Sequence, residues 1–314
     1  MQSGTTNANG GIINVNLGTS SNMLEIESCN FIGCVSLSKG GAIYALINNG
    51  AQVTISNSLF SLCESTNGGG IFVTMNGNSI LYLDSLCSLT DCKSSSQGGG
   101  IYAEIVGSTS QLILDKEIQF ERCESNIGGG LLIYLPTGAD YELCKLKFIY
   151  CHSSNSGGGI YNTYTNGGMM TLRELSFTNC SSNINGGGYC VQFSELNCIL
   201  EIIDSNITDC SSEQCGGGIY AVFKQLGSII ISGESRFKNC SAVDGGGIYA
   251  LINTGSILQV ENQCSFSECK TNGASGRGGG ILAQITGSDS SFILQEGIQF
   301  EECSSNDGGA LWIT

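Results

Sequence analysis

The sequence predicts an all-β protein, a right-handed parallel β-helix (a solenoid) of about ten coils with 28–33 residues and three short strands per coil. Three observations lead to this prediction. A glycine cluster recurs from end to end, a cysteine signature is interleaved with it, and apolar residues alternate between the two. We therefore expect residues 1–314 to form a single β-helix domain, and we expect this domain to be a segment of a longer repeat array.

The glycine cluster reads Gly-Gly-Gly or Gly-Gly-Ala and precedes an apolar residue. Because the chain must turn sharply before each first strand, we expect the glycines at a corner where a positive φ or a tight bend excludes a Cβ. A phosphate-binding loop is the alternative, but no helix pattern and no Lys-Ser/Thr pair follow the glycines. The third residues of the clusters are Ala42, Gly70, Gly100, Gly130, Gly159, Gly188, Gly218, Gly247, Gly280 and Ala310.

The residues between two clusters have the period-two pattern of short strands. Ile101, Ala103 and Ile105 alternate with polar or aromatic residues, and a turn of small polar residues follows. Leu112 and Phe120 mark a second and a third strand. One such coil is too small to fold alone, so neighbouring coils must share a core and backbone hydrogen bonds. Right-handed winding is expected because nearly all parallel crossovers have that hand.

The cysteine signature is an aromatic or aliphatic residue three positions before a cysteine. We expect these cysteines to stack as a buried structural ladder of small apolar side chains. Their Cβ vectors would run parallel, whereas a disulfide needs Cβ atoms about 3.8 Å apart, so we expect reduced thiols. Three pairs within single coils are better disulfide candidates, namely Cys29–Cys34, Cys87–Cys92 and Cys264–Cys269. The ladder consists of Cys34, Cys63, Cys92, Cys123, Cys151, Cys180, Cys210, Cys240, Cys269 and Cys303.

The repeats carry a family resemblance. Gly40-Gly41-Ala42-Ile43 and Phe31-Ile32-Gly33-Cys34 resemble the paired GGAI and FxxN repeats of chlamydial polymorphic outer-membrane proteins, and of similar protist surface proteins such as those of trichomonads. The resemblance covers essentially the whole chain and implies a right-handed parallel β-helix displayed outside the cell and used in adhesion. All ten copies here have Cys in place of Asn, and this segment has no signal peptide and no autotransporter barrel. These differences favour a eukaryotic microbe as the source.

The charge excludes nucleic acid as a partner. The chain has 12 Lys and Arg against 27 Asp and Glu, a formal net charge of −15 at pH 7, whereas phosphate binding needs clustered basic residues. No apolar run approaches the roughly 18 residues of a membrane span. We expect the chain to self-associate, end to end or laterally, or to bind a host or matrix surface protein or a glycan.

Catalytic groups do not converge in the sequence. Glycan-cleaving enzymes of this fold use clustered carboxylates, but the candidate carboxylates fall at differing coil positions with no recurring basic residue. The one histidine, His152, follows Cys151, and adjacent strand residues point to opposite faces. We expect no enzyme, no cofactor and no metal site. The carboxylates considered are Asp84, Asp91, Asp115, Asp204 and Asp209.

Aromatic residues recur at an outward position of the first strand, where the core of the fold does not require them. If Ile101, Ala103 and Ile105 face inward, Tyr102 faces outward, and other coils have a ring at the same position. The row is either an interaction surface for a glycan, a partner protein or a second filament, or a stack that stabilises neighbouring strands. Its members are Tyr44, Phe72, Tyr102, Tyr161, Tyr220, Tyr249 and Trp312.

Three N-x-Ser/Thr sequons begin at Asn179, Asn206 and Asn239 and are candidate glycosylation sites on the outer surface. Taken together, the sequence predicts a non-enzymatic extracellular or cell-surface structural or adhesive protein, such as an adhesin, a stalk or a filament. The alternative is a glycan-binding or glycan-cleaving β-helix protein.

Overall fold

The computed structural model describes residues 5–84, 86–115, 117–136, 138–164, 167–261 and 263–314. Within these ranges every sheet is parallel and there is no helix, so the predicted all-β solenoid of about ten coils is confirmed. In particular, the described residues include no helix that could cross a membrane. Each coil contributes four strands, which we assign to sheets 1 to 4 in the order in which a coil visits them after its glycine cluster.

Sheet 1 follows the glycine clusters and has eleven strands in unbroken order. Its register pairs equivalent residues of successive coils, for example Ile43 with Ile71 and Ile71 with Ile101. Most inward residues are aliphatic or small, as the period-two pattern predicts, but Asn162, Tyr189, Phe193 and Phe223 also face the core. The strands are Ile13–Leu17, Ile43–Asn48, Ile71–Asn76, Ile101–Ile105, Leu131–Leu135, Ile160–Tyr164, Tyr189–Leu196, Ile219–Gln225, Ile248–Ile252, Ile281–Ile285 and Leu311–Ile313.

Sheet 2 is divided into a block of four strands and a block of six. The first block comprises Met23–Glu27, Gln52–Ser56, Ile80–Leu83 and Gln111–Leu114. The second comprises Asp140–Cys144, Met169–Arg173, Ile199–Ile203, Ser228–Ser232, Ile257–Val260 and Ser291–Leu294. An open cavity of about 400 Å³ lies at the division, lined by Ser108–Asp115 and by residues of the strand Asp140–Cys144. Nothing in the repeat spacing indicates this irregularity.

Sheet 3 carries the aromatic half of the cysteine signature. Its inward phenylalanines stack along the solenoid, with ring centroids 4.8 Å apart for Phe31 and Phe60 and 4.7 Å apart for Phe237 and Phe266. They belong to one continuous apolar core. The ten strands are Asn30–Ile32, Leu59–Ser61, Ser88–Thr90, Gln119–Glu121, Lys147–Ile149, Ser176–Thr178, Asn206–Thr208, Arg236–Lys238, Ser265–Ser267 and Gln299–Glu301.

The prediction of three strands per coil is wrong, because sheet 4 adds a fourth strand to each coil. Its strands follow the ladder cysteines, and their inward residue is usually serine, so the apolar signal of a strand is missing. Ser153 is fully buried and donates to the carbonyl oxygens of Asn126 and Ser156, at 2.8 and 2.9 Å, which satisfies its hydroxyl. The strands are Thr5–Thr6, Val35–Ser36, Glu64–Asn67, Lys93–Gln97, Glu124–Ile127, His152–Ser156, Ser181–Ser182, Ser211–Ser212, Ser241–Ala242 and Lys270–Thr271.

The glycine clusters form the corner between sheets 4 and 1, as predicted. Gly98 has φ +64°, and a Cβ on it would lie 2.5 Å from the carbonyl oxygen of Ile101. A Cβ on Gly100 would lie 2.8 Å from the Phe120 ring, far inside van der Waals contact. The cluster therefore needs glycine both for its backbone conformation and for the close packing of neighbouring coils.

A second conformational signature lies before each ladder cysteine. The preceding residue has a left-handed backbone, with φ between +49° and +61°, in all ten copies. Gly33, Asn179, Asp209 and Asn239 suit this conformation, whereas Leu62 does not. Because many residue types fill the position, the sequence pattern did not indicate it.

Candidate functional site

The predicted aromatic row lies on the outer face of sheet 1 and is continuous in register. Tyr44 pairs with Phe72, Phe72 with Tyr102, and Tyr220 with Tyr249. The tyrosines are partly exposed, but Phe72 is only 1 % exposed. The aromatic side chains of the row are therefore only partly accessible to solvent, and less so than expected for an exposed aromatic surface. Between the rings, the same position holds Leu132, Cys190 and Leu282, all buried.

The rings of the row stack on one another. The centroids of Tyr44 and Phe72 are 5.3 Å apart, those of Phe72 and Tyr102 are 4.6 Å apart, and those of Tyr220 and Tyr249 are 5.4 Å apart. The ring planes differ by only 14–18°. Within each stack the ring faces contact other rings, so the surface presents ring edges and hydroxyl groups.

A second row, formed by the residues just before the glycine clusters, flanks the rings. Lys39 Nζ lies 4.4 Å from the Phe72 ring centroid, and Arg277 Cζ lies 4.6 Å from that of Trp312. Asp244 holds Arg277 through a 2.6 Å ion pair. These cations cover ring faces at two places along the row, which explains part of its low exposure.

Four tyrosines of the row, Tyr102, Tyr161, Tyr220 and Tyr249, remain protonated at neutral pH. Burial raises the pKa of Tyr102, Tyr161 and Tyr220 well above the ordinary value for tyrosine, and it also raises the pKa of Tyr249. Their hydroxyl groups can therefore donate and accept hydrogen bonds, as the 3.1 Å contact between the Tyr249 hydroxyl and Gln284 Oε1 shows.

Nine of the ten ladder cysteines lie buried in the core beside sheet 3, whereas Cys303, predicted to be buried, is partly exposed. Each thiol from the second rung onward, with Cys210 as the exception, donates to the carbonyl oxygen of the core residue one coil earlier, at 3.4–3.5 Å. Cys63, for example, donates to the Phe31 oxygen at 3.4 Å. Burial raises the pKa of Cys151 and Cys180 well above that of an ordinary thiol. The ladder is therefore a row of mostly buried, hydrogen-bonded thiols, in which the hydrogen bonds of the Cys34 and Cys92 thiols lower the pKa of Cys63.

The three disulfide pairs considered from the sequence are not formed in the structure. Cys29, Cys87 and Cys264 are thiols. Cys87 donates to the Ile55 oxygen at 3.4 Å and Cys264 donates to the Ile231 oxygen at 3.5 Å. Cys87 and Cys264 thus make contacts like those of the ladder, from the connection between sheets 2 and 3.

The candidate carboxylates serve turns and neighbouring coils. Asp84 accepts the Asn57 amide at 2.9 Å and Asp204 accepts the Glu234 amide at 2.8 Å. Asp115 accepts the Tyr82 hydroxyl at 3.1 Å, Asp209 accepts the Asn239 carboxamide at 2.6 Å, and Asp91 binds Arg122. Among the described residues, no three His, Cys, Asp or Glu side chains are grouped as metal ligands. The expectation that all five carboxylates fall at differing coil positions is wrong in one respect, because the register pairs Leu83 with Leu114 and so places Asp84 and Asp115 at equivalent positions of adjacent coils.

The sequon asparagines and the histidine lie on the outer surface. Asn206 lies in sheet 3, Asn179 and Asn239 precede ladder cysteines, and all three are partly exposed. Glycosylation of these residues stays a prediction. Cys151 is buried whereas His152 points outward, as expected, but His152 begins a strand and its Nδ1 lies 2.9 Å from Ser181 Oγ. The sequence does not indicate this contact, because it joins residues 29 positions apart.

The chain matches no protein-family model, no curated protein and no solved structure. The structure supports a parallel β-solenoid of repeated coils, and the resemblance to bacterial and protist surface proteins rests on the short motifs quoted above.

Proposed function

We propose that this chain is a structural and adhesive repeat protein of the extracellular or cell surface. The observation that carries the proposal is the continuous register of sheets 1, 3 and 4 around one unbroken apolar core. At about 4.8 Å per rung, ten coils make a rod roughly 50 Å long. Every coil is held by its neighbours, so the rod is suited to span distance and to present a repeating surface.

The aromatic row is the surface that we assign to contacts with another copy or with a surface protein. It places ring edges and protonated hydroxyl groups at regular spacing, a combination that is common in protein interfaces. Glycan binding is less well supported, because sugars stack on open ring faces and these rings contact one another or a cation. Partly exposed Tyr102, Tyr220 and Tyr249 are the members that a partner can reach.

The buried thiols are compatible with an extracellular location. Secreted proteins rich in cysteine usually form disulfides. Here nine of the ten ladder cysteines, from Cys34 to Cys269, are fully buried, so oxidants and thiol-exchange partners do not reach them.

Replacing Tyr102, Tyr220 and Tyr249 together by Ser tests the surface, and the matched Tyr→Phe triple variant keeps the rings. Self-association measured by sedimentation velocity, and binding to cells of the native source, should fall at least tenfold in the Ser variant and remain largely intact in the Phe variant. Far-UV circular dichroism should show the native spectrum in both. Unchanged binding by a folded Ser variant would contradict the assignment of the row.

Electron microscopy of the native source tests the structural role. Regular stalks or filaments labelled by an antibody against the chain are expected. Label confined to isolated monomers would refute the role.

A further inference from the structure

The outer face of sheet 4 brings a serine and a histidine into contact. Glu124, His152 and Ser181 occupy the same position in three consecutive coils, since the register pairs Glu124 with His152 and His152 with Ser181. Rungs about 4.8 Å apart place such side chains within reach of each other. Nδ1 of His152 lies 2.9 Å from Oγ of Ser181.

The pair lines an open groove of about 560 Å³ rather than a closed contact. Ser211 and Ser241 continue the row of hydroxyl groups beyond Ser181, and the side chains of Asn183 and Asn272 also line the groove. Carboxamide N–H groups donate hydrogen bonds, so they can hold a carbonyl or hydroxyl oxygen of a bound molecule. A ligand in this groove would therefore lie beside the Ser181 hydroxyl.

We propose that Ser181 is an acyl-accepting nucleophile and His152 is its general base, acting on short-chain carboxylic esters of polar alcohols. A general base must lie about 2.6–3.2 Å from the atom whose proton it removes, and the 2.9 Å contact satisfies this. The tautomer with hydrogen on Nε2 leaves Nδ1 as the acceptor. The groove is lined by hydroxyl, carboxamide and carboxylate groups, and Val243 is the one aliphatic side chain among its described lining residues. That lining fits a polar alcohol with a short acyl group.

The reaction needs only the ester and water. Ser181 Oγ attacks the ester carbonyl carbon while its proton moves to His152 Nδ1, and the carbon–alkoxy bond then breaks as the leaving alkoxide takes that proton. The acyl group remains on Ser181. A water molecule, deprotonated by His152, attacks the acyl carbon, the carboxylic acid leaves, and the proton returns to Ser181 Oγ.

This activity goes beyond the proposed structural role and does not depend on it. It also revises the expectation that the chain is not an enzyme, because that expectation rested on the lack of catalytic groups that converge in the sequence. The sequence places no acidic residue or base next to His152 that would suggest catalysis, whereas the coil register supplies a serine.

The test uses the purified chain with a fluorophosphonate probe and with p-nitrophenyl acetate. Mass spectrometry should locate the probe on Ser181. Ser181→Ala should abolish labelling and acetate release, and His152→Gln, which retains a hydrogen-bonding side chain, should lower both about 100-fold or more. The matched control is Ser154→Ala, which removes an exposed hydroxyl from the strand of His152 outside the groove lining and should leave both unchanged.

Circular dichroism of each variant shows whether it folds, and a native spectrum makes its kinetics interpretable. Labelling of Ser181 that is lost on His152→Gln supports the proposal. Three outcomes overturn it: no labelling of Ser181 above that of Ser211, labelling unaffected by His152→Gln, or acetate release that persists in Ser181→Ala.

Discussion

A polar pair in the core of sheet 1 offers a sharp test of how the coils are held in register. Tyr189 and Asn162 are both 0 % exposed and lie in adjacent coils, where the Tyr189 hydroxyl donates to Asn162 Oδ1. At the Tyr189 position the neighbouring coils have Ile160 and Ile219. The pair thus replaces aliphatic contacts with one hydrogen bond between coils.

Replacing Tyr189 by Phe keeps the ring and removes the donor. Asn162 Nδ2 already has no partner among the described atoms, so the change leaves the carboxamide of Asn162 buried and unsatisfied at both ends. Desolvation of such a group costs about 1–3 kcal/mol, and we expect Tyr189→Phe to destabilise the surrounding coils by that amount. Val follows Asn162 in the same inward position one coil later, as Val191, so Asn162→Val fits the site. The double variant should recover most of the loss, because it removes both polar groups.

Native-state hydrogen exchange read by mass spectrometry measures this effect locally, which suits a solenoid whose unfolding is not all-or-none. Amides of Ile160–Tyr164 and Tyr189–Leu196 should exchange faster by the factor that corresponds to the lost free energy, while amides of Ile43–Asn48 should not change. Two results would refute the reasoning: a loss below about 0.5 kcal/mol in Tyr189→Phe, or a double variant no more protected than the single one.

Two further predictions concern backbone conformation and charge. Leu62 has φ +55° and is 55 % exposed, so Leu62→Asn should stabilise the chain by about 1 kcal/mol and raise Tm. Leu37, which is 63 % exposed and does not have a positive φ, is the control, and Leu37→Asn should have little effect. Equal Tm shifts of the two variants in calorimetry would contradict this. The hydrogen bond from Arg122 lowers the pKa of Asp91 below its ordinary value. The contribution of this pair to stability is therefore present above the ordinary carboxyl pKa and lost as pH falls through the lowered one. NMR titration should show the Asp91 pKa returning upward in Arg122→Gln, and an unchanged value would show that the ion pair does not form in solution.

The repeat itself was predictable because each coil restates the same physical requirements. The spacing of Phe60 and Cys63 recurs in every coil, and so does the glycine corner. Each motif is too short to be informative alone, but ten copies at regular intervals establish the repeat. The strands of sheet 4 were not predictable from apolar periodicity, since their inward residue is usually serine. Ser153, for example, donates to carbonyl oxygens instead of packing as an apolar side chain.

Side-chain contacts between neighbouring coils were the other feature that could not be predicted from the sequence. Asn162 with Tyr189 and His152 with Ser181 are pairs 27 and 29 residues apart. A shift of one residue in register would place each partner on the opposite face. The period of 28–33 residues leaves that register undetermined, and the structure fixes it.

The choice of thiol over carboxamide has a consequence for how such a rod can change its length. A buried asparagine side chain has two N–H donors and an acceptor oxygen. The last asparagine of a ladder would therefore have buried polar groups without hydrogen-bond partners, which destabilises the fold. A thiol has one weak donor, so a thiol at the end of a ladder loses little when no further thiol follows it. Whole coils can then be duplicated or deleted in the gene without a compensating substitution in another coil. A ladder of cysteines therefore permits the length of the solenoid to change by one coil at a time during evolution.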